Sequence, residues 1–361
     1  MDRPAPFQKA TLGVIVEPPM KNVTIQDIAE RAGVTKATVS MVINQDHRIT
    51  EKTRDKVLKI IKEMHYYPNQ SARKLARGKS DVIAFVSARF AAPFIAALMD
   101  AFEQRAYQMG RYVHGIHPYS TQHKTEAKEE ALQQILYGRT ADAVVLVTIR
   151  PSEKIVAEYA ARKIPLILLE NTLPGSHSIR VDNVKGGFLA ADYLIRKGRK
   201  RIGLINGVTQ PLPGVDGVPS AMERLQGYRQ ALETHGLKFD EDRVVSYANY
   251  QFEEGRMGLK ALLEKDPKLD AVFCAAGDIM AMGVLAEAQE RGLKVPEDIA
   301  LVGYDDMMAS SLLKPALTTI RQPLARMGIL AFETAIEAID GLLKEDKNLL
   351  IQPELIVRES A

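Results

Sequence analysis

Apolar positions in residues 24–44, TIQDIAERAGVTKATVSMVIN, recur with the period of short helices. Ile25, Ile28, Ala29 and Ala32 fall at i, i+3, i+4 and i+7, which is one buried stripe. Thr24 ahead of that stripe and Asp27 within it form a capping pair, and Gly33 supplies the left-handed residue of a tight helix exit. Thr35 can cap a second helix, in which Val39, Val42 and Ile43 share one side. The opposite side carries Ala37, Ser40 and Met41, with Lys36 at the leading end. Two helices joined by a short turn, with a cationic leading end, have the geometry of helix-turn-helix DNA readers. A third helix is predicted in ITEKTRDKVLKIIKEMHYYP, capped by Thr50, with Val57, Ile60, Ile61 and Met64 on one face and Lys52, Lys56, Lys59 and Lys62 elsewhere. Three such helices make a very small but feasible core.

Residues 68–80, PNQSARKLARGKS, break this pattern. Pro68 stops the preceding helix, Asn69 can cap a new one and Gly78 ends it. A helix that short is unstable alone, and Arg73, Lys74, Arg77 and Lys79 repel one another unless something anionic is near. The expected element is a linker that folds when bound.

From Asp81 onward, apolar runs alternate with amphipathic stretches. The strand-like runs are VIAFVS, YVHGI, AVVLVT, PLILLE, RIGLING, VVSY, AVFCAA and IALVGYD, and FIAALMDAFEQRAYQMG and NVKGGFLAADYLIRKG are typical of the helical stretches between them. That alternation predicts parallel sheets covered by helices. The runs divide evenly near residue 180, so two α/β lobes are expected rather than one large sheet. Ligands in such lobes bind beyond the carboxyl ends of the strands.

Charge distribution sharpens the picture. The net charge of the 361-residue chain is only +3. Residues 20–80 hold 13 Lys and Arg against 6 Asp and Glu, a net of +7; residues 1–19 sum to zero, leaving −4 for the rest. A basic segment ahead of a mildly acidic body favours nucleic acid at one end. The single cysteine, Cys274, excludes an intrachain disulfide framework and a cysteine-cluster metal site, and its apolar surroundings predict a buried strand residue. No apolar run is long enough for a membrane helix, and the start lacks the apolar core of a signal peptide, so a cytoplasmic protein without membrane contact is expected. Residues 1–22 read as a disordered extension, with Met20 a candidate start.

These parts, in this order, resemble the lactose-repressor/galactose-repressor (LacI/GalR) family of bacterial transcription regulators over residues 23–361. VTIQDIAERAGVTKATVS is similar to its N-terminal signature and YYPNQSARKLARGKS to its hinge helix. PLILLEN, VDN, RIGLING, RLQGY, GDIMAMG, VPEDIALVGYDD and LTTIRQP are similar to blocks of its effector domain. The resemblance implies a helix-turn-helix DNA-binding domain over 23–67, a hinge helix and linker over 68–80, and a periplasmic-binding-protein-like effector and dimerisation body over 81–361. Crossovers near 180, 322 and 348 divide the body into one lobe of 81–180 plus 323–348 and a second of 181–322 plus 349–361. It also implies a homodimer on double-stranded, near-palindromic operator DNA, acting as a repressor. A small-molecule effector between the lobes, a sugar, sugar acid or purine, controls DNA affinity, and no cofactor is expected. LIQPELIVRESA is expected to be the last body strand, and as no leucine heptads follow it a coiled-coil tetramerisation tail is not expected.

Residue roles follow from the same resemblance. Lys36, Ala37 and Met41 match positions that read base edges: lysine can donate to guanine, and alanine can touch a thymine methyl. Met41 departs from the arginine common there; it either makes an apolar contact or packs on a neighbouring helix. Thr35, Thr38, Ser40, Asn44 and Thr53 are phosphate contacts or simple capping and solvated residues. Leu75, with Ala72 beside it, matches the leucine wedged into the central minor groove. In the body Phe94, Arg224, Tyr250, Asp278 and Asp305 match effector-binding positions, with Arg89 and His117 as weaker candidates. The two aromatics are otherwise core residues, and Arg224 and Asp305 can instead pair with each other as scaffold. The stretch TQPLPGVDGVPSAME is longer than is usual in the family.

Other functional classes lack their parts. No G-x-S-x-G, Walker loop, H-E-x-x-H or G-x-G-x-x-G after a strand is present, so no enzyme is expected. A transport-associated binding protein has no use for a basic helical head. A phosphorylated protein corepressor in place of the metabolite stays open.

Overall fold

The first helix, α1 (Ile25–Ala32), begins where the sequence places its cap. Asp27 N–H donates to Thr24 Oγ1 at 3.4 Å and Thr24 N–H returns to Asp27 Oδ2 at 2.8 Å. Gly33 leaves it at φ 62°, a conformation a glycine adopts without steric cost. Helix α2 (Lys36–Ile43) starts at Thr35, whose Oγ1 accepts from Thr38 N–H at 3.1 Å. Helix α3 (Glu51–Glu63) starts without the expected side-chain cap: the Thr50 hydroxyl pairs with the Thr53 hydroxyl at 3.0 Å instead of a backbone N–H. The three helices enclose Ile28, Ala29, Ala32, Val39, Val42, Val57 and Ile60.

The computed structural model describes residues 23–43, 46–66, 79–122, 124–210 and 218–361. It separates into a unit ending at Gly78 and a unit from Lys79 to Ala361. Asn44, Ala72 and Leu75, and with them the predicted hinge helix, lie outside the described residues, as do residues 211–217 of the long TQPLPGVDGVPSAME stretch.

In the second unit the apolar runs become two six-stranded sheets. The first combines β1 (Ile83–Ser87), β2 (Ile116–Ser120), β3 (Ala143–Val147), β4 (Leu166–Leu169), β5 (His177–Val181) and β11 (Asn348–Ile351), in the order β11-β5-β4-β3-β1-β2. All its pairings are parallel. The second combines β6 (Ile202–Gly207), β7 (Val244–Tyr247), β8 (Ala271–Cys274), β9 (Ala300–Asp305), β10 (Thr318–Arg321) and β12 (Glu354–Ile356), in the order β12-β10-β9-β8-β6-β7. Only the β10–β12 pairing is antiparallel. Helices α4 (Pro93–Met109), α5 (Thr125–Gly138) and α6 (Glu153–Ala161) connect the first sheet's strands. Helices α7 (Asn183–Arg196), α8 (Pro219–Thr234), α9 (Phe252–Lys265) and α10 (Asp278–Glu290) serve the second. Helix α11 (Leu324–Ile339) returns to the first sheet, where Phe332 packs edge-on against Phe102 of α4 at 5.1 Å between ring centroids. Cys274 is buried in β8.

The chain crosses between sheets after β5, after β10 and after β11. The last crossing falls at Gln352–Pro353, later than the expected 348, because the exposed, polar start of β11 hides a strand paired along β5. The predicted strand YVHGI is also displaced. Tyr112 lies at φ 56° in a turn, and the strand starts at Ile116 and runs through the polar HPYS of an exposed edge. HSIRV and TTIR, absent from the expected runs, are strands β5 and β10; each mixes polar residues with a short apolar content that blurs periodicity.

Candidate functional site

Helix α2 turns its two faces to different tasks. Val39 and Val42 are buried, while Lys36 and Ala37 stand exposed and Ser40 and Met41 are partly buried. Residues 36, 37, 40 and 41 fall on one side of a helix by their i, i+1, i+4, i+5 spacing. A short cationic end, a small residue and an apolar thioether are thus presented together. Thr35 and Thr38 share a hydroxyl contact at 3.0 Å at the helix start, where N–H groups can meet a phosphate. Thr53 is partly buried and engaged with Thr50. Arg48 holds Asp46 through Nε and Nη2 at 3.0 and 2.7 Å, and this keeps the Asp46 carboxyl well below the usual range.

In the body, a cavity of about 520 Å³ opens at the carboxyl ends of both sheets. It is walled by Ser87 at the end of β1, Thr148 after β3, Asn206 and Gly207 at the end of β6, Ala275 after β8 and Asp305 at the end of β9. In each sheet the strand order reverses there, between β1 and β3 and between β6 and β8, the arrangement that leaves a crevice for a ligand. Backbone strain gathers around it: Thr148, Glu170, Tyr250 and Asp305, all lining the cavity, have φ of 56°, 63°, 57° and 106°. Non-glycine residues hold such angles only where the surrounding structure imposes them.

Four of the five expected effector residues line this cavity: Phe94, Arg224, Tyr250 and Asp305, together with the weaker candidate Arg89. Arg224 reaches it because α7 and α8 pack closely at small residues. A Cβ on Gly187 would meet the Arg224 carbonyl at 2.2 Å, and one on Gly227 would meet the Val184 carbonyl at 1.9 Å. Arg224 Nε donates to Asn183 Oδ1 at 2.8 Å and Nη1 to the Ala275 carbonyl at 2.7 Å, and the guanidinium lies 3.7 Å from the centre of the Tyr304 ring. Burial alone would lower its pKa, but Tyr304, Asp305 and Glu170 around it hold it above the ordinary value. Among the described residues no ion pair joins Arg224 to Asp305, so the two do not form the scaffold pair considered from sequence. Asp305 Oδ1 instead accepts from Gln322 Nε2 at 2.6 Å, and burial raises its pKa despite Arg224 nearby. Burial likewise pushes the Tyr250 hydroxyl up to about 12.

Asp278 has a different task. Its side chain does not line the cavity, being fully buried, with Oδ2 accepting from Met307 N–H at 2.8 Å and Ser310 Oγ at 2.6 Å, and Oδ1 from Thr319 Oγ1 at 2.7 Å. The carboxylate that motif resemblance places against the effector thus ties the segment after β9 to β10. Asp278→Ala should lower folding stability by about 3 kcal/mol, the scale for stranding buried donors, and leave a ligand-induced rise in melting temperature intact. Loss of the ligand effect without loss of stability would return Asp278 to the site. His117 also falls away from the cavity, exposed on the edge strand β2.

Sequence reasoning missed a buried chain that joins the two walls. Glu170, after β4, accepts from Val181 N–H at 2.8 Å and Asn183 Nδ2 at 2.7 Å, and the Asn183 oxygen receives both Arg224 Nε and the Tyr304 hydroxyl, the latter at 3.1 Å. Burial raises the Glu170 pKa against these donors. The blocks PLILLEN and VDN carried both residues, but nothing in their local pattern shows that they meet. Also missed were Ser87, Asn206 and Gln322, each buried beside the cavity with an oxygen that has no hydrogen-bond partner among the described residues. Among the described residues no group of His, Cys, Asp or Glu is placed to hold a metal ion, and no helix is long and apolar enough to cross a membrane.

A small three-helix head presenting a cationic helix face, and a two-lobed body with a ligand-sized crevice, define the class of ligand-responsive DNA-binding regulators. A family model described as bacterial regulatory proteins, lacI family, matches residues 24–69, and one for a periplasmic binding protein-like domain matches residues 191–361. The chain is 32% identical over 350 residues to the HTH-type transcriptional regulator CelR of Thermobifida fusca, covering 93% of this chain and 98% of that one. It is 32% identical over 340 residues to the HTH-type transcriptional repressor PurR of Escherichia coli O1:K1 / APEC, covering 93% and 96%. Among solved structures, a Lac repressor dimer bound to operator and the anti-inducer ONPF matches with a TM-score of 0.81 at 27% identity, over 94% of this chain and 99% of that one. A CelR–cellobiose complex matches with a TM-score of 0.69 at 30% identity, over 94% and 100%. The chain belongs to the lacI family of bacterial regulatory proteins and is a DNA-binding transcriptional regulator.

Proposed function

We propose that this regulator is a homodimeric repressor whose operator affinity is set by a small metabolite held in the cavity between its lobes. The observation that carries the reading is the cavity itself. It lies at both strand-order reversals, is ringed by strained backbone, and brings Phe94, Arg224, Tyr250 and Asp305 together. A ligand touching both walls has differential affinity for different lobe arrangements, which is what shifting a DNA-binding equilibrium requires. CelR with cellobiose and the Lac repressor with ONPF supply precedents of the same architecture.

For the head, Lys36, Ala37 and Met41 read base edges, while Thr35, Thr38, Ser40, Asn44 and Thr53 contact the backbone. Ala72 and Leu75 enter the central minor groove, where the basic 68–80 segment finds the anion its charges need. Selection from randomised duplexes tests this face. Met41→Arg should alter one base position per half-site, since a bidentate donor replaces an apolar group and discriminates by about 1–3 kcal/mol. Lys36→Ala should relax a different position. Identical preferences for wild type and both variants would place base readout elsewhere.

A further inference from the structure

The two lobes keep separate apolar cores, and one side chain passes from the second into the first. The first sheet with helices α4 and α11 encloses a core that includes Phe85, Leu98, Phe102, Val147, Met327 and Phe332. Among the described residues, every side chain in or against that core belongs to the first lobe except Met307, which follows β9 of the second. Met307 also lines the cavity.

The backbone that carries this side chain is fixed wholly within the second lobe. Asp305 and Asp306 ahead of it have φ of 106° and 57°, angles that non-glycine residues hold only under constraint. Asp306 accepts from Arg321 Nε of β10 and from Arg358 Nη2, each at 2.6 Å. Met307 N–H donates at 2.8 Å to Oδ2 of Asp278, the first residue of α10. Asp305 lines the cavity, held by Gln322. The tip 305–307 therefore touches the cavity through Asp305, β10 and α10 through its anchors, and the first lobe through the Met307 side chain.

Other ties between the lobes are of a different kind. The chain Glu170–Asn183–Arg224, and the ion pair of Arg180 with Glu223 at 3.3 Å, start from the first crossover, where the covalent chain already joins the lobes. Met307 lies on none of the three crossovers. A change of angle between the lobes has to reseat or withdraw it. Close-packed apolar side chains move between discrete seats rather than deforming continuously, and an unbranched methionine can fill either.

We propose that Met307 is the positioning residue that couples the two lobes. Seated in the first lobe's core, it hands a change of lobe angle through its own N–H to Asp278 and α10, and through the strained tip to Asp305 at the cavity. The proposal rests on the reading that lobe arrangement sets operator affinity.

Operator DNA serves as the probe, because coupling is reciprocal: if the body sets the affinity of the head, DNA on the head alters the body. Hydrogen exchange is followed by mass spectrometry on full-length wild type, Met307→Gln, Met307→Ala and Met307→Leu. Each is measured free, with a duplex from the protein's own upstream region, and with a scrambled duplex. In wild type the operator is expected to change exchange in first-lobe peptides of β1 and α4 and in second-lobe peptides of β8 and α10. Met307→Gln puts an amide in the apolar seat and Met307→Ala empties it. Both should keep the first-lobe change and lose most of the second-lobe change. Met307→Leu, a volume-conserving swap, should restore it. A merely structural loss would raise exchange with and without DNA alike and leave the difference between them intact. A wild-type response that stops in the first lobe, a second-lobe response that is the same in all four proteins, or one lost as fully in Met307→Leu as in Met307→Gln overturns the proposal. No operator-induced change anywhere in the wild-type body overturns instead the reading beneath it.

Discussion

Removing residues 1–78 should abolish operator binding and leave a folded body. The head closes its own core of Ile28, Ala32, Val39, Val42, Val57 and Ile60, and the body from Lys79 onward carries its own two sheets. Residues 1–78 carry a net +6 and the body from Lys79 onward a net −3, so the electrostatic attraction for DNA goes with the head. In the full chain, each lysine or arginine that neutralises a phosphate should steepen the log–log dependence of affinity on salt by roughly 0.9. Fluorescence anisotropy on an operator duplex at several salt concentrations, with circular dichroism of the truncated chain, checks both halves. An operator affinity that is flat across salt, or retained by the body alone, would refute the assignment of the DNA interface.

Arg224→Ala should uncouple DNA binding from the effector. The side chain holds Asn183, the Ala275 carbonyl and the face of Tyr304 while lining the cavity, so its loss removes a ligand contact and disturbs the buried chain to Glu170. Losing one partner of a buried, charge-assisted hydrogen bond costs about 2–5 kcal/mol, more than tenfold in ligand affinity. The variant should melt at a lower temperature, still bind operator, and ignore ligands that release or tighten wild type. Asp305→Ala should behave alike toward ligand with a smaller loss of stability. A full ligand-induced thermal shift in destabilised Arg224→Ala would make the arginine scaffold alone.

The head was legible in the sequence almost residue by residue, because its helices are local: the Thr24–Asp27 cap, the Gly33 exit and the i, i+3, i+4, i+7 stripe all depend on near neighbours. The buried central strands were equally plain as apolar runs. Strands β5, β10 and β11 were not, since HSIRV, TTIR and NLLI are short or half-exposed and acquire their identity from partners far along the chain. The cavity shows the same division. Motif resemblance led to Phe94, Arg224, Tyr250 and Asp305, yet misread Asp278, whose carboxylate is saturated by Met307, Ser310 and Thr319. Resemblance marks that a position matters in a fold, and only the direction of its side chain shows whether it meets ligand or protein. Ser87, Asn206 and Gln322 gave no local signal because what distinguishes them is a missing partner, a property of tertiary placement.

The central claim, that a ligand in the body sets the affinity of the head for its operator, is tested most directly by one titration. Full-length protein is titrated into a labelled duplex from its own upstream region, with and without a saturating ligand identified by thermal shift, beside a duplex of scrambled sequence. The expected result is a change in operator Kd of about 5–150-fold, the usual range of allosteric coupling, with little change on the scrambled duplex, and no ligand effect in Arg224→Ala. An operator Kd that is the same with and without saturating ligand would contradict it.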